Sequence, residues 1–336
     1  MRTLEYLSPS SLATWECNRE EFYLKYLTEN RPPRQPQENY MSIGSAFDAY
    51  VKSRLALDLW GQDADPQFDF ETIFTDQVEQ HNRDWARQAG YYALKCYQVS
   101  GAYYELLDAL ELAAEEPQFE FGVSGEVEGV PLFGKPDCRY ITHEGTHVIL
   151  DWKVNGFCSK YGASPYKGYA MIRDGWDYAF TKPSRGQGRP HKMYTPRKHS
   201  DLVIGRHYLE ETSKDWADQL SIYGWMLGEA VGDENVVVCI DQLACKPNGE
   251  WPLIRVASHR CRVSEIWQQS LIKRLQDCWS TIQSGHIFND TMSKEESDAR
   301  CEILDGRATV HNNVEEGGIE EWVCEISRES TGFRAR

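Results

Sequence analysis

Residues 134–154 contain two segments of strand-like composition and read GKPDCRYITHEGTHVILDWKV. Both segments are rich in aromatic and β-branched residues and flank a short polar tip, a pattern that predicts a β-hairpin. With the tip centred on Glu144, the hairpin places Asp137 directly opposite Asp151. Side chains in such a position have Cβ atoms about 4.5–5.5 Å apart, so two carboxylates are predicted to lie in contact.

The second segment also predicts which side chains share a face. A strand alternates its side chains, so Asp151 and Lys153 point to one face, and Val148, Leu150 and Trp152 point to the other. A surface ion pair is the alternative, and for an isolated Asp-x-Lys it is the better interpretation. Here the charges follow an apolar run in which unneeded charges are costly, which favours a functional pair.

Two carboxylates in contact repel each other, so a cation is expected between Asp137 and Asp151. Oxygen ligands with open positions suit Mg²⁺ or Mn²⁺. A lysine beside them, Lys153, can orient or deprotonate a water and stabilise a phosphorane-like transition state. The segment therefore predicts a metal-dependent site that hydrolyses phosphodiesters.

The rest of the chain predicts an α/β fold with a mixed central sheet flanked by helices. Expected helices lie at 8–27, 44–57, 67–83, 86–116, 216–231 and 264–284. In the first of them, Ser8 is the expected N-cap and Pro9 the expected first helical residue. Expected strands lie at 119–127, 130–141, 147–154, 235–245 and 252–257, and the first three form a meander. We divide the chain into three parts. Residues 1–117 form a helical N-terminal part, residues 118–290 form the core with a basic insert at 154–215, and residues 291–336 form an acidic tail.

Four segments, in the correct order, resemble the PD-(D/E)XK nucleases and their RecB-type exonuclease branch. They are Ser8-Pro-Ser-Ser-Leu12 with Trp15, Cys17, Phe22 and Tyr26-Leu27; Gly44-Ser-Ala-Phe-Asp48; Gly134-Lys-Pro-Asp137 with Asp151-Trp-Lys153; and Gln219-Leu-Ser-Ile-Tyr223. The resemblance implies a restriction-endonuclease-like fold.

The resemblance also implies roles for individual residues. Asp137 and Asp151 bind the metal with the backbone carbonyl of Trp152, and Lys153 acts on the attacking water. Gln219 and Tyr223, one helical turn apart, position Lys153 or the phosphate; taken alone, they would be a core tyrosine and its neighbour.

Asp48 departs from the family pattern, which usually has a histidine ligand there. Asp48 is either a third metal contact or half of a surface ion pair with Lys52, and the sequence favours neither. Glu126 is a further candidate for the site, although a solvated strand charge is the simpler interpretation.

A basic segment stands out in a chain of 336 residues whose net charge is −16. Residues 153–207 hold 11 Lys and Arg against 3 acids, interleaved with aromatic residues, a mixture suited to phosphate contacts and base stacking. We predict that it lines the DNA groove; a basic loop that balances an acidic lobe is the alternative. The predicted DNA contacts are Lys160, Lys167, Arg173, Lys182, Arg185, Arg189, Lys192, Arg197 and Lys198.

Other features of the sequence bear on the location of the protein and on its cofactors. The chain has neither an apolar run long enough to span a bilayer nor a secretory signal, so we expect a cytoplasmic protein without a membrane partner. Some relatives use the cysteine equivalent to Cys17 in a [4Fe-4S] cluster. The downstream cysteines are widely spaced here, so we expect no iron-sulfur cluster.

Together these features predict a Mg²⁺- or Mn²⁺-dependent deoxyribonuclease, an exonuclease acting in recombination, repair or phage DNA processing. A structure-specific endonuclease on the same core and a catalytically weakened DNA-binding module are the alternatives. No P-loop motif occurs. The protein is therefore expected to act alone, as a ring-shaped oligomer or beside a separate motor protein. Its candidate partners are DNA and a helicase or a recombination protein.

Overall fold

The computed structural model describes residues 2–154, 204, 208–246, 253–285, 287–288 and 301. Seven strands and nine α-helices lie in these ranges. The helices are α1 Pro9–Cys17, α2 Arg19–Phe22, α3 Asn39–Trp60, α4 Phe70–Gln77, α5 Arg83–Val99, α6 Ala102–Glu111, α7 Leu209–Thr212, α8 Lys214–Met226 and α9 Glu265–Ser284. The strands are β1 Gln118–Phe119, β2 Val123–Val127, β3 Val130–Gly134, β4 Cys138–Ile141, β5 His147–Val154, β6 Val236–Lys246 and β7 Leu253–Cys261.

Five strands form the central sheet in the order β1-β4-β5-β6-β7. β5 and β6 are parallel and the other neighbours are antiparallel, so the sheet is mixed. The fold class predicted from the sequence, an α/β fold with a mixed central sheet flanked by helices, is confirmed. This arrangement is consistent with a restriction-endonuclease-like fold.

The β4–β5 hairpin has the predicted register. Cys138 pairs with Leu150 and Ile141 pairs with His147, as a tip centred on Glu144 requires. The predicted three-strand meander, however, is wrong. β2 and β3 form a separate two-stranded sheet, and residues 135–137, which belong to no strand, separate β3 from β4. Pro136 has no N–H to donate to a neighbouring strand, which accounts for the interruption.

The two faces of β5 pack into two different hydrophobic clusters, as the alternation of its side chains predicts. Ile149 faces a cluster built with α1, α8 and α9, which includes Leu12, Leu220, Ile240 and Leu271. Val148, Leu150 and Trp152 face a cluster built with α3, α5 and α6, which includes Phe47, Tyr97 and Leu106. The N-terminal helices therefore share their hydrophobic cores with the sheet.

Several helix boundaries differ from the prediction. The helix predicted at 8–27 is interrupted at Asn18, the one predicted at 44–57 extends over Asn39–Trp60, and two others differ at glycine turns. The helix predicted at 86–116 is divided into α5 and α6 because Gly101 takes a left-handed backbone conformation, with φ of 87°. α8 ends at Met226, short of the predicted 231, and Gly228 follows with φ of 89°. α1 begins as predicted, with Ser8 as its N-cap and Pro9 in its first turn.

Most of the basic insert and the acidic tail lie outside the described residues. The nine predicted DNA contacts between Lys160 and Lys198 all fall there. In the ranges that are described, no helix combines the length and hydropathy of a membrane-spanning segment.

Candidate active site

Asp137 lies immediately before β4, beside the end of β5. Because Cys138 pairs with Leu150, the Asp137 side chain reaches the residues that follow Leu150. Its Oδ2 accepts a hydrogen bond from the backbone N–H of Trp152 at 3.1 Å. Asp151 is 3% exposed, and burial, followed by repulsion from Asp137, raises the pKa of Asp151 to about 7. The two acids predicted to oppose each other therefore interact electrostatically.

Lys153 lies on the same face of β5 as Asp151. Its Nζ forms an ion pair with Oδ2 of Asp151 at 2.6 Å. The same Nζ donates a hydrogen bond to Oε1 of Gln219 at 3.0 Å. Burial alone would lower the pKa of Lys153, but the carboxylates of Asp151 and Asp137 outweigh burial and raise it. Lys153 is therefore an ammonium group here, which suits it to donating hydrogen bonds rather than to accepting a proton.

Helix α8 brings Gln219 and Tyr223 to the same point. Nε2 of Gln219 donates to Oδ1 of Asp151 at 3.0 Å and to the Tyr223 hydroxyl oxygen at 3.1 Å. Burial raises the pKa of Tyr223 to about 12. A single Gln219 side chain thus connects Asp151, Lys153 and Tyr223, which fixes the relative positions of all three.

Asp48 lies on α3 and reaches the site from the opposite side. Its Oδ2 accepts hydrogen bonds from Nζ of Lys52 at 2.7 Å and from Nε2 of Gln77 at 3.1 Å. The ion pair with Lys52 that the sequence allowed therefore forms, but it is not at the surface, because Asp48 is 16% exposed and Lys52 is 1% exposed. Burial raises the pKa of Asp48 to about 7, although Lys52 opposes that shift. Its role as a metal ligand stays a prediction.

Two polar residues in this region escaped the sequence analysis. Glu120 follows β1 and accepts hydrogen bonds from Lys52 at 3.1 Å and from Gln77 at 2.9 and 3.1 Å. Gln77 ends α4. Glu126, which the sequence analysis raised instead, is an exposed residue of β2 on the separate hairpin. The sequence holds no signal for Gln77, and Glu120 takes a backbone φ of 41° that no strand pattern predicts.

The donor chemistry of the site fits a hard divalent ion. Asp48, Asp137 and Asp151 supply carboxylate oxygens, and Oδ1 of Asp48 is buried without a hydrogen-bond partner. Among the described residues, no three His, Cys, Asp or Glu side chains are already arranged to hold a metal ion. Nζ of Lys52 and Nζ of Lys153 lie against the carboxylates instead. None of the seven cysteines whose side chains the structure describes forms a disulfide.

A second buried polar network lies behind β5. Asp241 of β6 is 0% exposed and pairs in register with Trp152. Its carboxylate accepts hydrogen bonds from Arg260 at 2.8 and 3.3 Å and from the Tyr97 hydroxyl at 2.5 Å. Nε1 of Trp152 donates to the same hydroxyl at 3.4 Å. The residue between Asp151 and Lys153 is therefore anchored to this network.

Comparisons with known proteins do not assign the chain to a family. No family model matches, and no curated protein matches. A solved structure of a candidate exonuclease from Eubacterium rectale is 14% identical, covers 99% of this chain and 100% of that one, and has a TM-score of 0.43. The structure of the protein SSO0001 is 10% identical, covers 88% of this chain and 97% of that one, and has a TM-score of 0.25.

Proposed function

We propose that this protein is a cytoplasmic Mg²⁺- or Mn²⁺-dependent deoxyribonuclease of the PD-(D/E)XK superfamily, in its RecB-like exonuclease branch. One observation supports this proposal best, namely the hydrogen bonds that join these residues. Gln219 bonds to both Asp151 and Lys153, and Asp137 accepts a hydrogen bond from the backbone N–H of Trp152, the residue between them. A surface ion pair needs none of these contacts. Together they hold two carboxylates and an ammonium group close to one another, which supports the proposal.

Asp137 and Asp151 would hold the ion together with Asp48 and the backbone carbonyl of Trp152. When bound, such an ion polarises the phosphate and lowers the pKa of its bound water. Lys153 keeps its proton beside Asp151, and its N–H groups stabilise the charge that develops on the attacked phosphate. Gln219 orients Lys153, and Tyr223 holds the Gln219 amide in place.

The proposed substrate is DNA. The basic segment beside Lys153 would contact its phosphates through the nine lysines and arginines identified in the sequence, with aromatic side chains stacking on the bases. A helicase or a recombination protein is the proposed partner, in recombination, repair or phage DNA processing, because the chain contains no P-loop of its own.

The direct test is a cleavage assay on linear DNA labelled at the 5′ or 3′ end and on closed circular DNA, with Mg²⁺, Mn²⁺ or EDTA. We expect metal-dependent loss of linear DNA, intact circles and products with 5′-phosphates. Cleavage of circles would identify an endonuclease on the same site. DNA binding without cleavage under either metal would contradict the proposed activity and leave a DNA-binding module.

The pKa shifts of the acids predict how metal binding depends on pH. Burial raises the pKa of Asp48 and of Asp151 to about 7, whereas the same carboxyls in the unfolded chain have a pKa of about 4. Their contribution to metal-free stability is therefore present below about pH 4 and is lost as the pH rises through about 7. Since a metal needs the deprotonated carboxylates, the rise in Tm caused by Mn²⁺ should be larger at about pH 8 than at about pH 5.5.

Thermal unfolding with and without Mn²⁺ at the two pH values checks this expectation. Glu126→Gln, which removes an exposed carboxylate of the separate hairpin, should leave the pH dependence unchanged. Asp151→Asn should remove most of the Mn²⁺ effect at both pH values. An equal Mn²⁺ effect at both pH values in the wild-type protein would show that these two carboxyls do not bind the ion.

A further inference from the structure

Lys52 is a buried cation inside the acidic site. It lies on α3 one helical turn after Asp48, and its side chain is 1% exposed. Its Nζ lies 2.7 Å from Asp48, 3.1 Å from Glu120 and 3.4 Å from Asp137. A buried ammonium group is costly unless it is paired and hydrogen-bonded, and here three carboxylates surround it. The cation that lies among these three carboxylates is therefore a side chain of the protein itself.

The surroundings of Lys52 are built to keep the ammonium there. Gln77 donates hydrogen bonds to Glu120 and to Asp48, which holds both carboxylates toward Lys52. The backbone N–H of Glu120 donates to the carbonyl oxygen of Asp137 at 3.1 Å. Glu120 does so with φ of 41°, a conformation that costs a non-glycine residue free energy. Gln77 and Glu120 therefore help to hold the carboxylates in place around Lys52.

The net charge of the site also indicates that Lys52 takes the place of a cation. Four carboxylates, those of Asp48, Glu120, Asp137 and Asp151, face the two ammonium groups of Lys52 and Lys153. With all six groups ionised, the net charge is −2, which one divalent ion neutralises. Without Lys52 the net charge would be −3, which favours a second cation beside the first.

We propose that Lys52 permanently occupies one cation position of the acidic site, between Asp48, Glu120 and Asp137, and so limits the site to a single divalent ion. This inference rests on the proposed function, because it takes that ion to lie at Asp137 and Asp151. Lys52 is too deeply buried to touch DNA, so it is a positioning residue. It holds Asp137 through Oδ1 while Oδ2 is held by Trp152.

The test counts the Mn²⁺ ions bound per chain, by titration calorimetry and by electron paramagnetic resonance. We expect one ion for the wild-type protein and two for Lys52→Met, in which the second ion takes the place of the ammonium group. Lys52→Met with Glu120→Gln restores the original net charge and should bind one. Arg54→Met is the matched control, because Arg54 is a half-exposed residue of the same helix, paired with Asp58, and this variant should bind one ion.

Each outcome separates this inference from the proposed function. One ion in Lys52→Met, or two in the wild-type protein, overturns the inference and leaves the nuclease proposal standing. No ion in the wild-type protein overturns both. If Lys52→Met does not fold alone, Mn²⁺ should restore its fold with two ions bound; failure of Mn²⁺ to restore it, while the double variant folds, overturns the inference.

Discussion

Lys153→Met is expected to slow metal-dependent DNA cleavage by about 10²–10⁴-fold, the range typical of a positioned catalytic group. Lys153 Nζ lies 2.6 Å from Asp151 and 3.0 Å from Gln219, so its N–H groups are held at the end of β5, where the phosphate would react. Methionine has a similar length and an apolar stem, so the variant removes the charge and leaves the packing nearly unchanged.

Measuring Mn²⁺ binding together with cleavage distinguishes loss of catalysis from loss of the ion. Lys153→Met should bind Mn²⁺ at least as tightly as the wild-type protein, because it removes a positive charge next to the ion. Asp151→Asn should lose both the ion and the activity. Lys95→Met, an exposed lysine of α5 that hydrogen-bonds to Gln98, should cleave at the wild-type rate. If Lys153→Met also cleaves DNA at that rate, Lys153 has no catalytic role.

The largest expected effect on stability comes from Arg260→Met, which should lower the free energy of unfolding by about 3–5 kcal/mol. Arg260 is the ion-pair partner of Asp241, which is 0% exposed. Burial alone would raise the pKa of Asp241, but Arg260 and the Tyr97 hydroxyl outweigh burial and lower it. The stabilisation is therefore present above about pH 4 and is lost as the pH falls through the lowered pKa.

Urea denaturation at neutral pH measures this effect. Arg260→Met with Asp241→Asn should recover most of the loss, because the double variant leaves no buried charge unpaired. Arg87→Met breaks the exposed ion pair with Glu71 and should cost about 1 kcal/mol or less. If Arg260→Met destabilises the protein no more than Arg87→Met does, the Asp241 charge is not buried as described.

The part of the site that is local in sequence could be predicted from it. The register of β4 and β5, the alternation of faces along β5 and the N-cap at Ser8 each follow from a few neighbouring residues, and all three are confirmed. The break at Pro136 was equally local but was missed. The absence of its N–H could have shown that residues 130–141 are not one strand.

The Lys52 side of the site could not be predicted, because it depends on contacts between distant segments. An acid and a lysine four residues apart look the same on a surface helix and on a buried one. Glu120 lies 68 positions after Lys52, so only the packed fold brings them together. Asp241 is different: it follows the apolar run that begins at Val236, the same signal that identified Asp151, so it could have been predicted.

The parallel pairing of β5 with β6 has a consequence for the order in which the protein is made. Each residue of β5 pairs with one that lies 89 positions later, as Lys153 does with Gln242. Contacts this distant along the chain form late, and on the ribosome they must wait for both strands to emerge. Gln219 is also synthesised long after Asp151. A nascent chain therefore carries Asp137, Asp151 and Lys153 without the framework that aligns them until α8 and β6 have also been synthesised.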